Sequence, residues 1–461
     1  MNAILTLSAT RQAQLVRERR ASSLELIDAH IERIEKVNPH LNAAIEVLAE
    51  RAREAARRAD AAAGEGPLHG VPFSVKDSIE IAGSPCTAGT MGRRNAPPSP
   101  RDATLVERLR TAGGIPIART NLPDLLWAFE SDNLLYGRTS NPYDLSRTSG
   151  GSSGGEAALI AACGSPLGLG SDAAGSVRLP AAFCGIAAIK PTTGRLPRTG
   201  HYPADGGWIS SIWQIGPMAR HVEDLCTVMP LLAHGDGFDT TVVDMPFHDP
   251  AEVDRGALRV AWYTDNGTAA AAPEVAAVVR DAARALAGEA ATVVEDRPAC
   301  LANAYDLEMK ITGADGGEGF RKFLTSVGSH QVHPLLTSWL SKFGPYRTDL
   351  GGFAGYWAEW DAYRRGIADF LRLYDIVICP VYPQPALPHG ASVENHNFRG
   401  FSHTMAYNVS GLPAAVVRCG TSAEGLPIAV QIAAAPWREN HALAIALRLE
   451  KEFGGWQMPP I

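Results

Sequence analysis

Between Pro67 and about Leu231 the chain alternates short β-like apolar runs with helical stretches, and this rhythm constrains the fold more than any other feature. Val71 to Val75, Ile115 to Ala118 and Ser165 to Gly170 read as strands, while Thr104 to Gly113, Gly155 to Cys163 and Val222 to Leu232 read as helices. Such alternation specifies a layered α/β fold. The pattern resumes with strand-like Leu258 to Tyr263 and Thr292 to Glu295 around a helix from Pro273 to Gly288. Ile376 to Pro380, Ala414 to Arg418 and Ile428 to Ala433 then read as strands returning to a core sheet, followed by a helix over Asn440 to Phe453.

Ahead of the alternation, Ser22 and Glu25 form a capping box for a helix in which Leu24, Ile27, Ile31, Ile34 and Val37 recur at helical spacing. Asn38-Pro39 is expected to end it. Pro39 is then expected to open a second helix, with Leu41, Ile45 and Leu48 inward, running to Ala63. Leu301 to Phe370 reads as helices and Gly-rich loops holding Trp339, Phe343, Tyr346, Phe353, Tyr356, Trp357 and Trp360, aromatics expected to serve helix packing before a pocket. Glu308 and Asp315 read as a solvated face. No linker is long or polar enough to separate independent domains. The expectation is one domain over 1–461: N-terminal helices (1–65), a core (66–232), a helical insertion (301–370), and C-terminal strands and a helix (371–461).

Composition narrows the function classes. With 461 residues, 46% apolar and 20% charged, the chain can bury a large core and is neither disordered nor a small stapled fold. Its 42 basic against 49 acidic side chains leave a net charge of −7, with no basic tract, so nucleic acid is not expected as a direct ligand. The seven cysteines form no C-x-x-C pair and read as reduced thiols of a cytoplasmic protein. No run reaches the ~18 apolar residues of a membrane span, so no membrane is expected. No H-E-x-x-H occurs and the spacing of His396 and His403 does not suit two ligands on one helical turn; neither a metal nor a cofactor is called for.

The densest Gly/Ser segment is Thr148-Ser-Gly-Gly-Ser-Ser-Gly-Gly155, followed by Pro166-Leu-Gly-Leu-Gly-Ser-Asp-Ala-Ala-Gly-Ser-Val-Arg178. A phosphate loop would need Lys-Ser/Thr after its last glycine, but Glu156 follows Gly155 and its charge would repel phosphate. A dinucleotide fingerprint over Gly168, Gly170 and Ala173 lacks a ribose-binding carboxylate between Ala173 and Ala204. Gly150-Gly-Ser152-Ser-Gly154 fits a G-x-S-x-G elbow with Ser152 as nucleophile, yet Asn141 to Ser149 is a polar, turn-rich loop where that elbow needs a strand. The remaining reading is that both segments are linkers, which their continuation into apolar stretches weakens.

Gly150 to Gly155, Gly170-Ser-Asp-Ala-Ala-Gly-Ser-Val-Arg178, Pro180-Ala-Ala-Phe-Cys-Gly185 and Lys190-Pro-Thr192 together resemble the amidase signature family of serine hydrolases. Gly70-Val-Pro-Phe-Ser-Val-Lys-Asp77 resembles its lysine motif and Gly425-Leu-Pro-Ile-Ala-Val-Gln-Ile432 its C-terminal strand. The likeness spans about 22 to 453 and is weakest between Asp236 and Leu371. Thr120-Asn-Leu-Pro123, Asn141-Pro142, Gly154-Gly-Glu156 and Ser165 to Gly170 look most like the fatty acid amide hydrolase branch and its bacterial relatives.

The resemblance implies an α/β/α sandwich with a mixed central sheet, an N-terminal helical arm and a helical insertion that shapes the substrate pocket. It implies a serine, cis-serine, lysine triad with Ser176 as nucleophile, Ser152 as bridging serine after a cis peptide bond, and Lys76 as base. A lysine serves as base only when neutral, and removal from water depresses its pKa. Asp77 need not hold Lys76 charged, because strand neighbours point to opposite faces. The implied oxyanion hole is the N–H groups of Ala173, Ala174, Gly175 and Ser176, with Ala174 where the family usually has glycine. Ser153 is expected as a supporting hydrogen-bond partner, and Asp172 and Arg178 as braces of the nucleophile loop. Leu126, Trp127 and Phe129 are expected to line an apolar pocket, by likeness to the branch named above.

The expected activity is hydrolysis of the C–N bond of small, neutral, hydrophobic or aryl amides through an acyl-enzyme. An esterase or carbamate (urethane) hydrolase on the same triad, a glutamine-hydrolysing subunit of an amidotransferase, and a noncatalytic binding protein stand as alternatives. The partner is a small-molecule amide, ester or carbamate; the oligomeric state stays open, a homodimer included.

Overall fold

The structure is a computed structural model that describes residues 3–62, 64, 66–204 and 206–461. Its strands are β1 (Ala44–Val47), β2 (Pro72–Lys76), β3 (Ile115–Thr120), β4 (Leu167–Asp172), β5 (Ala187–Lys190), β6 (Gln214–Ala219), β7 (Arg259–Trp262), β8 (Thr292–Glu295), β9 (Ile376–Pro380), β10 (Ala414–Thr421) and β11 (Pro427–Ala434). Among the described residues all 11 join one mixed sheet in the order β1-β3-β2-β4-β6-β5-β10-β11-β9-β7-β8. The helices that carry the argument below are α1 (Ala9–Arg17), α2 (Ser23–Leu41), α3 (Ala49–Ala61), α4 (Thr104–Thr111), α5 (Gly154–Ala161), α6 (Arg178–Phe183), α7 (Val222–Leu232), α8 (Pro273–Ala285), α9 (Ala304–Gly313), α10 (Glu318–Ser326), α11 (Pro334–Ser341), α12 (Leu350–Phe370), α13 (Asn395–Gly400), α14 (Ser402–Val409) and α15 (Glu439–Phe453).

Alternation along the strands builds apolar cores on both faces of the sheet. Ala415 and Val417 of β10 share one apolar cluster with α1, α4, α7, α8 and α15, whereas Val416 belongs to a second with α2, α3, α5 and α6. Ala414 joins a third with α9, α12 and α14. Successive side chains point to opposite faces of a strand, so the sheet is covered on both sides and the fold is an α/β/α sandwich. Burial on both faces also explains why β2, β3, β4 and β9 are buried at every position.

The capping box of Ser22 and Glu25 is formed, but the reading of Pro39 as a helix opener is corrected. Pro39 lies inside α2, where its missing N–H removes only one bond in the last turn. Asn42, left-handed at φ 50°, closes that turn by donating its N–H to Asn38 O at 2.7 Å. Asn38 Oδ1 accepts from the N–H groups of Ala43 and Ala44 at 2.8 Å each, turning the chain into β1. Ile45 is therefore a strand residue, and the following helix begins at Ala49. The expected end of that helix at Ala63 falls outside the described residues.

Candidate active site

β2 and β4 are parallel neighbours, with Ser74 beside Gly168 and Val75 beside Leu169. Their carboxyl ends therefore bring Lys76 next to Ser171 and the loop that leaves β4, the end of a sheet where open α/β folds bind ligands. Lys76 is fully buried, and its Nζ lies 2.6 Å from Ser152 Oγ, 2.9 Å from Ser153 Oγ and 3.1 Å from Ser171 Oγ. Burial holds the Lys76 amine well below its ordinary pKa, against the opposing pull of Asp172 and Glu156. Glu156 itself, hydrogen-bonded by Ser74 and by Thr120 at 2.7 Å, is pushed by burial up to about 8. Asp77 turns away from Lys76, as expected, to pair with Arg119 at 2.7 Å.

Ser152 sits in the Gly150–Ser153 loop ahead of α5, after a cis Gly151–Ser152 peptide bond. Gly151 is there because a Cβ would lie 2.5 Å from the backbone N of Glu130. Ser153 also donates to Ser171 O at 3.3 Å, and its N–H donates to Ser176 O at 3.1 Å, tying the two Gly/Ser loops together. Ser176 is the more open of the serines, 8% exposed against 1% for Ser152, and both face one cavity.

Asp172 and Arg178 form a fully buried ion pair at 2.9 Å. Desolvation alone would raise the Asp172 carboxyl, and the Arg178 guanidinium, with Lys190 and the Asn408 amide, more than offsets it, holding the group below the usual carboxylate range. Asp172 Oδ1 accepts from the Gly175 N–H at 2.7 Å, so that donor is occupied. The N–H groups of Ala173, Ala174 and Ser176 carry no partner among the described residues. Ala174 has no left-handed backbone; the demanding position is Gly175, with φ 127° and a Cβ that would lie 2.3 Å from Thr404 Oγ1. That threonine donates to Ala174 O at 2.7 Å, and Asn408 Nδ2 donates to Asp172 at 2.9 Å, so α14 buttresses the loop.

The cavity measures about 300 Å³, at the lower end of the range for small-molecule sites. Leu126 and Trp127 line it. Phe129 does not: it is buried behind the wall, stacked on Phe401 at 3.6 Å and tilted against Trp339 at 4.7 Å. The aromatics of 301–370 divide likewise, Trp339 and Phe343 lining the cavity while Trp360 packs against α14 through its Nε1 bond to Val409 O. The reading of Glu308 and Asp315 as a solvated face is corrected, since both line the cavity and Glu308 is buried. Ala304, Leu307 and Ile311 form the apolar stripe that packs α9 onto the core, and Glu308 lies beside that stripe, where an acid in sequence reads as solvent-facing. Ser171 was also missed: alternation from Leu169 puts it on the face opposite to Lys76, and only the geometry at the strand ends brings its Oγ to 3.1 Å from Lys76 Nζ.

A neutral amine against a hydroxyl can take its proton, and free N–H groups beside a second, open serine can hold an oxyanion; the arrangement suits acyl transfer. The Amidase family model matches residues 25–443. Fatty-acid amide hydrolase 2 of Homo sapiens is 31% identical over 99% of this chain and 91% of its own. One subunit of the glutamyl-tRNA(Gln) amidotransferase of Roseiflexus castenholzii is 34% identical over 96% of this chain and 95% of its own. The solved structure of 6-aminohexanoate cyclic dimer hydrolase superposes with a TM-score of 0.86 at 29% identity, covering 97% of both chains. The mixed sheet, the paired Gly/Ser loops and these likenesses lead to one conclusion: the chain belongs to the amidase (amidase signature) family and is an amide hydrolase.

Proposed function

We propose that the protein hydrolyses small, neutral, hydrophobic or aryl amides through a serine acyl-enzyme. Ser176 Oγ attacks the carbonyl carbon while its proton passes through Ser152 to Lys76. The carbonyl oxygen gains the negative charge and is held by the N–H groups of Ala173, Ala174 and Ser176. The proton returns along the same path to the leaving nitrogen as the C–N bond breaks. Water then attacks the acyl-enzyme with the same assistance, releasing acid and restoring Ser176. The observation that carries this reading is a buried Lys76 amine, 2.6 Å from Ser152 Oγ, behind a cavity that both serines face.

The cavity wall supports neutral substrates. Trp127, Phe320, Phe323, Trp339 and Phe343 supply apolar surface, and no Arg, Lys or His lines it among the described residues. A free carboxylate such as that of glutamine would be buried there without a partner, which is costly. Esters and carbamates present the same acyl carbonyl to the same groups and are expected as additional substrates.

Michaelis kinetics on an anilide, a matched ester, a matched carbamate and glutamine test the proposal. The anilide, ester and carbamate are expected to turn over with kcat/KM well above glutamine. Glutamine as the best of the four overturns it in favour of an amidotransferase-type role.

A further inference from the structure

Among the described residues that line this cavity, Glu308 and Trp339 each carry a buried polar atom with no partner, and Glu308 is the titratable one. Glu308 of α9 lines the wall at 2% exposure, and its Oε2 has no hydrogen-bond partner among the described residues. Buried polar atoms are almost always paired, so an unpaired one on a residue that lines a cavity points to a ligand. Asp315, the other acidic residue of the wall, is different: it accepts from the N–H groups of Gly317 and Gly319 at 2.7 Å each and is committed to its own loop.

Thr312 follows Glu308 by one helical turn on the same wall. Its Oγ1 donates to Glu308 O at 2.7 Å, which uses the hydroxyl proton and leaves the oxygen able to accept. The charged groups that act on Glu308 are Asp172, which disfavours its ionisation, and Arg178, which favours it. Arg178 is already engaged by Asp172, Thr404, Asn408 and Gln431. Burial dominates, pushing the carboxyl well above its ordinary range and so favouring the protonated acid, which carries one O–H donor and one C=O acceptor.

We infer that Glu308 and Thr312 form a hydrogen-bonding subsite that selects substrates carrying a second neutral amide or carbamate group beyond the scissile bond. A carboxylic acid and an amide are complementary: the acid O–H donates to the amide oxygen while the acid carbonyl accepts from the amide N–H. A largely apolar wall with this donor–acceptor pair favours a bis-amide over a monoamide of similar bulk. The inference rests on the proposed reading of the cavity as the acyl-transfer site.

The test measures binding and turnover separately. Benzanilide, its acetamido derivatives (meta and para) and its aminomethyl derivatives are titrated against the full chain carrying Ser176→Ala, alone and with Glu308→Leu or Glu308→Gln. Turnover is measured on the Ser176 protein, and the melting temperature of each variant confirms that it is folded. A better acetamido isomer is expected to bind more tightly than the parent, and Glu308→Leu to cut that affinity ratio about tenfold, the loss of two hydrogen bonds of ordinary net strength. Glu308→Gln, which keeps a donor and an acceptor, retains most of the ratio. A ratio that Glu308→Leu leaves within twofold, or a preference for the cationic aminomethyl compounds, overturns the subsite. Absence of anilide turnover alongside an intact binding ratio overturns the proposed activity and leaves the subsite standing.

Discussion

Replacing Lys76 by methionine tests whether the buried amine is neutral without reference to catalysis. Lys76 is fully buried and its pKa is lowered chiefly by desolvation. In the unfolded chain a lysine holds its proton up to about pH 10.4. Between the folded and unfolded pKa values the unfolded state therefore binds one more proton than the folded state. Folding stability of the wild type then rises by about 1.4 kcal/mol per pH unit from this group, and the contribution levels off above about pH 10.4. Lys76→Met has no such term. Its lost contacts with Ser152, Ser153 and Ser171 are hydrogen bonds whose cost does not change with pH in this window. The stability difference, variant minus wild type, should thus fall by about 1.4 kcal/mol for each unit of pH from 8 to 10. Denaturant unfolding of both proteins across that range reads it directly. A difference that stays constant means a protonated Lys76 in the folded state and refutes the neutral base. The same variant should lose at least 10²–10⁴-fold in kcat/KM, the range a positioned base contributes.

Asp172→Asn leaves a fully buried Arg178 without its counter-charge and should cost about 3–5 kcal/mol of stability, with a fall in kcat as the nucleophile loop loses its anchor; equal stability in denaturant unfolding would show that the pair is dispensable. Because the folded pKa of Asp172 is depressed, its contribution is present above about pH 3.9 and is lost as pH falls below that through the folded pKa, so the variant should show a weaker acid dependence than the wild type between pH 5 and 3. Gly175→Ala combines a left-handed φ of 127° with a contact of 2.3 Å to Thr404 Oγ1, and should slow both turnover and labelling of the nucleophile by at least about 100-fold. Ala174→Gly, at a position with no such backbone demand, should cost only about 0.4–1 kcal/mol through the unfolded chain; a larger loss there than at Gly175 would reverse the assignment of which residue shapes the loop.

Much of the frame was legible because it is written in apolar runs. α7, β8 and β9 begin and end where the pattern puts them, at Val222–Leu232, Thr292–Glu295 and Ile376–Pro380. β5 and β6 were not legible: Ala187-Ala-Ile-Lys190 is too poor in β-branched residues, and Pro217 demotes Gln214–Ala219 although the strand sits inside the sheet. Lys76, Ser152 and Ser176 could be picked out only as parts of long motifs. Their meeting depends on β2 and β4 being parallel neighbours, a pairing that no local signal specifies. Glu308 shows the opposite limit. An isolated acid reads as a surface residue on general grounds, and only the packing of α9 over the cavity reveals it as buried.

The central claim is that Ser176, activated through Ser152 by Lys76, forms the acyl-enzyme. Treating the protein with a fluorophosphonate and locating the adduct by peptide mass spectrometry tests it most directly. The account predicts a single adduct on the peptide containing Ser176, absent from Ser176→Ala and formed more slowly in Ser152→Ala. An adduct on Ser152 in the unaltered protein would contradict it and return the Gly150–Gly154 segment to the role of a nucleophile elbow.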